Sequence, residues 1–467
     1  MSGDSPLRGA EVAWDALGGD PALLSRLSPV VREDTLPARL PVRALARSCV
    51  GVCALAAAEL AALRTGRDVP HARVDDGSVA AAFTSERQLL VDGRAPVTFA
   101  PLSRFWRTAD GWVRTHANYP HHRARLLAAL GLGDGEASED DAAVKSVGAR
   151  LADLSAFEVE ESVYAAGGLA VALRTPDEWA AHPQGVAVAG LPLVGRERLE
   201  VDGPGAVAPL PPLPGGTGPL LPAAGLRVLD LTRVIAGPVA TRTLALLGAD
   251  VLRVDPPHLP ELPDQHADTG FGKRSAALDL RDRADRRAFE DLLAGADVVV
   301  TGYRPGTLDR FGLAPDALAE RRPGLVVAQL SAWGTSGPWS GRRGFDSLVQ
   351  VASGIAVAEG SPESPGALPA QALDHGTGYL LAAAVLRALS ERVAGRAGGT
   401  VLVRLALART AAWLTGWPTY SAEPWLTGMD GGRGRLRYAR PPVAFADGPV
   451  NWENPPGSWG GDAPVWR

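Results

Sequence analysis

Across residues 224–334, short apolar runs alternate with stretches whose apolar positions recur every three to four residues. "RVLDL" (227–231), "DVLRVD" (250–255), "RSAALDL" (274–280), "DVVVTGY" (297–303) and "GLVVAQLSAWG" (324–334) read as strands. "PVATRTLALLGA" (238–249) and "RADRRAFEDLLAGA" (283–296) read as helices between them, with a helical turn at "TLDRFGL". Short apolar strands joined by helices imply a parallel sheet covered on both faces. The pattern therefore predicts a doubly wound, Rossmann-like α/β domain. A later segment, "PAQALDHGTGYLLAAAVLRALSER" (369–392), is almost purely Ala, Leu and Val after its first turn and reads as a helix.

The alternation is bounded upstream by residues 201–223, where Pro and Gly dominate. Such text continues neither a helix nor a central strand, so it reads as a linker. It separates residues 1–200 from residues 224–467, a division that suits a chain of 467 residues. The N-terminal part contains "FWRTADGWVRTHANYPHHRARLLAALGL" (105–132), a strand followed by a helix, and is expected to form a second, smaller α+β domain. The C-terminal domain ends in a tail rich in Gly, Pro and Trp.

Composition narrows the classes. Hydrophobic residues make up 46% and charged residues 21%, as in ordinary globular proteins. A net charge of −5 leaves no basic excess for phosphates, which argues against nucleic-acid and membrane-surface binding. No apolar run of about 18 residues and no signal-like start stand out, so a cytoplasmic protein with no membrane contact is expected. The two cysteines, Cys49 and Cys53, share one helix face without a nearby His or acid, and read as small core residues rather than metal ligands. His116, His121 and His122 read as helix-start and surface residues, and no metal is expected.

The turn after the first strand, "TRVIAGPVATR", lacks the G-x-G-x-x-G that brings backbone close to a pyrophosphate. A nicotinamide enzyme is thereby disfavoured. Asp374, at the mouth of the apolar helix, has two readings. An acid there is a good N-cap and suits the positive end of the helix dipole. Yet His375, Gly376 and Gly378 crowd the same turn, and glycine in a helix usually permits a close approach. Apolar surroundings would also raise the nucleophilicity of the carboxylate.

Five segments in order, "VLDLTRVIAGPVATRTLALLGADVLRVDPP", "GKRSAALDLRD", "ADVVVTGYRPGTLDRFGL", "SAWGTSGPWSGRRGFDSLVQVASGIA" and "LPAQALDHGTGYLLAAAVLRALSER", resemble the successive motifs of the family III CoA-transferases. That family includes carnitine and formate CoA-transferases and the α-methylacyl-CoA racemases. The resemblance runs over residues 224–395. It implies an enzyme that moves CoA from an acyl-CoA co-substrate to a carboxylic acid, works as a homodimer, and uses Asp374 as a nucleophile through an aspartyl anhydride and an aspartyl-CoA thioester. Carried over position by position, it implies CoA contacts at Val234, Ala236, Arg253, Asp255, Gly272, Lys273, Arg274 and Arg304. Gly376 and Gly378 would keep the site open to the thioester.

Two departures from the family pattern bear on this. Racemases carry "GHD" where this chain has Gly344–Phe345–Asp346, and phenylalanine exchanges no proton. That favours transfer over the alternatives, a 2-methylacyl-CoA racemase or isomerase, or a non-catalytic acyl-CoA-binding paralogue. The small domain that family members place after the catalytic helix stands in front here. Upstream, "ARSCVGVCALAAAELAALRTGR" resembles a second copy of that helix; with Gly51 set against Gly378, Arg47 falls opposite Asp374.

Overall fold

The computed structural model describes residues 7–133, 140–200, 210–213, 218–396, 399–415, 425–443 and 445–466. The N-terminal part contributes helix α1 (Val42–Thr65), then a small antiparallel sheet of β1 (Phe105–Arg107), β2 (Trp112–Thr115) and β3 (Ala170–Ala172). Helix α2 (Pro120–Ala129) follows β2, with proline at its first position, where a missing N–H costs nothing.

The large sheet has seven strands: β4 (Gly195–Leu199), β5 (Arg227–Leu231), β6 (Asp250–Asp255), β7 (Arg274–Ala277), β8 (Val298–Thr301), β9 (Val326–Ser331) and β10 (Thr400–Ala406). Their spatial order is β7-β6-β5-β8-β9-β10-β4. All neighbours are parallel except β10 and β4. This is the expected doubly wound α/β architecture, with its reversal of winding between β5 and β8. The apolar runs lie at its centre: Val298, Val299 and Val300 are fully buried.

Strand β4 comes from residues before 200 and closes one edge of this sheet. The expected linker at 201–223, of which residues 210–213 and 218–223 are described, is thus not a boundary of the core. One apolar cluster runs from Ala10 through α1 to Trp452 of the tail. Its axis is the pair formed by α1 and α5 (Ala372–Val393), with α3 (Ala236–Leu246) on the other side of α5. Helix α4 (Asp346–Ala352) meets the N-terminus of α5.

Helix α1 is long and apolar enough to cross a membrane, with a mean hydropathy of 1.6, which the sequence reading did not register. Its apolar positions are instead occupied by protein: 94% of that window is buried. Such a helix, buried on nearly all sides with its few charges paired or hydrogen-bonded, is the core of a large domain. Its buried Glu59 pairs with Arg387 of α5, fixing the two helices lengthwise. The resemblance between α1 and α5 extends further. Each is followed by a strand and then a helix: Ala72–Asp75 and Asp76–Phe83 after α1, β10 and Leu407–Leu414 after α5. Arg47, opposite Asp374 in that alignment, is buried in a bidentate pair with Asp76 at 2.6 Å.

Candidate active site

The carboxyl ends of β5, β6, β7, β8 and β9 open into a cavity of about 660 Å³, at the switch point of the sheet where doubly wound folds bind ligands. Seven arginines line it: Arg125, Arg233, Arg281, Arg304, Arg310, Arg342 and Arg343. Three are paired with acids, Arg233 with Glu261, Arg281 with Asp279 and Arg342 with Glu161. Among the described residues Arg125, Arg304, Arg310 and Arg343 have no carboxylate partner. Burial and the neighbouring guanidinium groups of Arg304 and Arg125 press Arg343 below its ordinary pKa. Mutually repelling cations in one concave wall are a site for a multiply charged anion.

The loop after β5 is strained. Val234 has φ +69°, a left-handed conformation rare for a β-branched residue. Its N–H donates to Glu261 at 3.0 Å, and Glu261 also accepts from the Tyr119 hydroxyl at 2.5 Å and from Arg253 at 2.9 Å. Burial alone would raise Glu261, but Arg253 and Arg233 hold its carboxyl down at about 2. The loop is thereby fixed against both the sheet and the N-terminal part.

A second cavity, of about 180 Å³, lies beyond this loop, and its walls come largely from residues 86–119 and 345–371. Tyr119, Val234, Phe345 and Asp374 line both cavities. Asp374 therefore stands at their junction. It does not cap α5: Asp346 does, accepting from the N–H groups of Leu373 at 2.8 Å and Asp374 at 2.9 Å while Gln350 donates to its other oxygen. Among the described residues the Asp374 carboxylate has neither a hydrogen bond nor an ion pair. Burial first, then the charges of Asp346 and Glu86, raise its pKa well above the usual carboxylate range. Asp346 is also raised, chiefly by burial. Glu86 is held low despite burial, because His375 bonds it at 3.1 Å.

Three of the expected CoA contacts, Val234, Ala236 and Arg304, line the large cavity. The other five do not. Side chains alternate along a strand, so Val254 faces the cavity while Arg253 and Asp255 face away and pair with each other at 2.6 Å. Lys273 is buried against Asp230 at 2.9 Å and the Pro238 carbonyl at 3.0 Å, and burial pushes it down to about 8. Arg274 forms a fork with Asp250, and Gly272, at φ +72°, makes room for Trp452. Gly376 and Gly378 do not open the site either. A Cβ on Gly378 would lie 2.5 Å from the Ala236 carbonyl oxygen, so that glycine serves helix packing, whereas one on Gly376 would meet Cys49 Sγ at 3.4 Å, an ordinary contact, and would face the core rather than the cavity.

Two of the three histidines expected at helix starts or the surface are inside, while His121 is half-buried in the first turn of α2. His116 and His122 are buried, and His116 stacks on Phe345 with ring centres 3.7 Å apart. Burial and Arg114 hold His116 down at about 3; burial and the two other histidines hold His122 at about 2, so both are neutral. Of the cavity's arginines without a carboxylate partner among the described residues, Arg304 was expected, while Arg125, Arg310 and Arg343 were the main omission. Arg343 lies within the quoted "SGRRGFD", but no spacing rule marks it as a wall residue.

A doubly wound sheet with an arginine-lined cavity at its switch point and a bare buried carboxylate beside it is an arrangement suited to a multiply charged anion. Residues 223–450 match CoA-transferase family III. The chain is 36% identical over 220 residues to an acetyl-coenzyme A transferase of Hypoxylon pulicicidum, covering 45% of this chain and 36% of that protein. It is 32% identical over 302 residues to an acyl-CoA transferase of Gibberella moniliformis, covering 62% and 52%. The chain thus spans about half or less of the curated relatives it matches. A solved structure from Mycobacterium tuberculosis is 35% identical, with 43% of this chain and 57% of that one covered and a TM-score of 0.40.

Proposed function

We propose that the protein transfers CoA from an acyl-CoA to a carboxylic acid, with Asp374 as nucleophile. The observation that carries this reading is the position of Asp374, bare and buried where two cavities meet. The large cavity suits CoA: its arginines without carboxylate partners match the diphosphate and 3′-phosphate, and the strained Val234 lines the same junction of cavities as the nucleophile.

The steps balance without an outside reagent. An Asp374 oxygen attacks the thioester carbon, the C–S bond breaks, and CoA leaves as thiolate from a mixed anhydride. The thiolate then attacks the Asp374 carbonyl carbon and expels the donor acid. An acceptor carboxylate attacks the resulting aspartyl-CoA thioester, again releasing thiolate and leaving a second anhydride. The thiolate attacks the acceptor's acyl carbon, and Asp374 returns as carboxylate. The aspartyl-CoA thioester is close in energy to the acyl-CoA thioesters it stands between, which is the advantage of a carboxylate nucleophile.

Asp346 and Glu86 favour acylation. They repel the free Asp374 carboxylate, and that repulsion disappears when its charge is lost in the anhydride or thioester. Intact-mass analysis tests the reading: wild-type protein mixed with an acyl-CoA and no acceptor should carry acyl or CoA on the peptide holding Asp374, and Asp374→Asn should not. A turnover-competent Asn variant would refute it.

A further inference from the structure

Two of the large cavity's arginines without carboxylate partners among the described residues share one acceptor. Arg125 of α2 and Arg343, two residues before Phe345, both donate to the Gly167 carbonyl, at 3.2 and 3.4 Å. Their bonded nitrogens are therefore at most about 6.6 Å apart, the two bonds laid end to end. Like charges so close repel, and one neutral carbonyl does not cancel them.

The turn that carries this carbonyl ends the helix Ala156–Ala165. Gly168 N–H donates to the Val163 carbonyl and Gly167 N–H to the Tyr164 carbonyl, the paired bonds of a Schellman motif. That motif needs a left-handed residue, which Gly167 supplies at φ +75°. Its carbonyl continues the negative end of a helix dipole, which draws cations without neutralising them. The same helix fixes the backbone at Arg343: the Tyr164 hydroxyl donates to the Arg343 carbonyl at 2.8 Å, beside a bond from Trp333 Nε1 at 3.2 Å. Glu161 of that helix takes up the neighbouring Arg342 at 2.6 Å and leaves Arg343 to the cavity. A phosphoryl group has an oxygen for each of two guanidinium groups and, unlike a carboxylate, more than one negative charge to offer them.

We propose that Arg125 and Arg343 clasp one phosphoryl group of the CoA nucleotide, and that the Gly167 turn and Tyr164 position them for it. This rests on the reading of the large cavity as a CoA site. Arg125, Tyr164 and Gly167 all precede the matched region, so the N-terminal part supplies half of the clasp and the means of aligning it. Arg125 and Arg343 are binding residues; Tyr164 and Gly167 act through them.

Calorimetry tests this with CoA, 3′-dephospho-CoA and pantetheine titrated into wild type, Arg125→Gln, Arg343→Gln, the double variant and Tyr164→Phe. Each arginine variant should bind CoA about 10- to 100-fold more weakly, as loss of a charge-assisted bond requires, and pantetheine as wild type does. The double variant should lose less than the product of the two single losses, because either change opens the clasp. Tyr164→Phe keeps the ring that Arg342 lies over and removes only the donor, so CoA affinity should fall about 2- to 10-fold and pantetheine affinity not at all. Losses that persist with dephospho-CoA assign the diphosphate to the clasp; losses that vanish assign the 3′-phosphate. Unchanged CoA affinity in an arginine variant, fully multiplicative losses in the double variant, or equal losses of CoA and pantetheine would overturn the clasp. Wild-type CoA affinity in Tyr164→Phe would overturn the positioning. Should Arg343→Gln not fold, Arg125→Gln and Tyr164→Phe decide. Wild type that binds no CoA sinks the transfer reading as well; CoA binding indifferent to the two arginines sinks this inference alone.

Discussion

Gly378→Ala separates what the glycines of the α5 first turns do from what the sequence suggested. The added methyl would sit 2.5 Å from the Ala236 carbonyl oxygen and 2.9 Å from Val239 Cβ. Carbon–oxygen contacts ordinarily begin near about 3.3 Å, so α3 must move off by roughly 0.8 Å. Overpacking of this kind costs about 1–3 kcal/mol, and the better helix propensity of Ala returns about 1. The net loss is therefore about 0–2 kcal/mol, read from the denaturant midpoint. The rate should suffer more. Ala236 begins α3, and the Val234 loop before it walls both cavities. Displacements near 1 Å cost up to about a hundredfold, so kcat should fall about 10- to 100-fold. Gly376→Ala is the control: its methyl would meet Cys49 Sγ at 3.4 Å and Leu45 at 3.6 Å, ordinary contacts. That variant should be as stable as wild type or up to about 1 kcal/mol more so, with a near-normal rate. Equal losses of activity in both variants, with no difference in stability, would mean that the glycines serve thioester access and that the packing argument fails.

Two further outcomes follow from the site. Asp374→Asn should lower transfer about a thousandfold or more and also stabilise the protein, since burial and the charges of Asp346 and Glu86 make the charged carboxylate costlier in the folded state than in the unfolded one. The wild-type contribution is complete below an unfolded pKa of about 4 and is lost as pH rises through the folded value, so wild type and Asn variant should melt alike in acid and diverge towards neutral pH; divergence in the opposite direction would refute the repulsion by Asp346 and Glu86. With a 2-methylacyl-CoA in deuterated water, α-deuteration should be far slower than acyl exchange, because Phe345 offers no base and the neighbouring His116 is held at about 3; comparable rates would mean a racemase.

The sheet was legible because its strands are short apolar runs whose helices fall between them, and Asp374 because an acid opening an apolar helix is conspicuous. Its freedom from capping was not legible. The residue that caps α5 in its place, Asp346, is 28 positions away in the chain and meets the helix only after folding. Arg253 and Lys273 lie away from the large cavity for reasons of local packing: strand alternation puts Arg253 on the face of Asp255, and Lys273, just ahead of β7, meets Asp230. The small cavity was invisible for a different reason. Its walls join residues 86–119 to residues 345–371, and no local pattern records such a meeting.

The pairing of α1 with α5 also sets the order in which the chain can become safe. During synthesis α1 emerges about 300 residues before its partner, which at roughly 5–20 residues per second leaves its apolar surface uncovered for about 15–60 s. In that interval it has the length and hydropathy of a membrane segment. Arg47, Glu59 and Arg64 give it a different character: a charge at a bilayer centre costs about 2.5–3.5 kcal/mol on insertion scales, enough to make the lipid a poor refuge. The same Glu59 later finds Arg387 on α5. A group that fixes register in the finished core thus protects the unfinished chain from the wrong solvent, a role that protease digestion of stalled nascent chains, with and without Glu59→Leu, would expose.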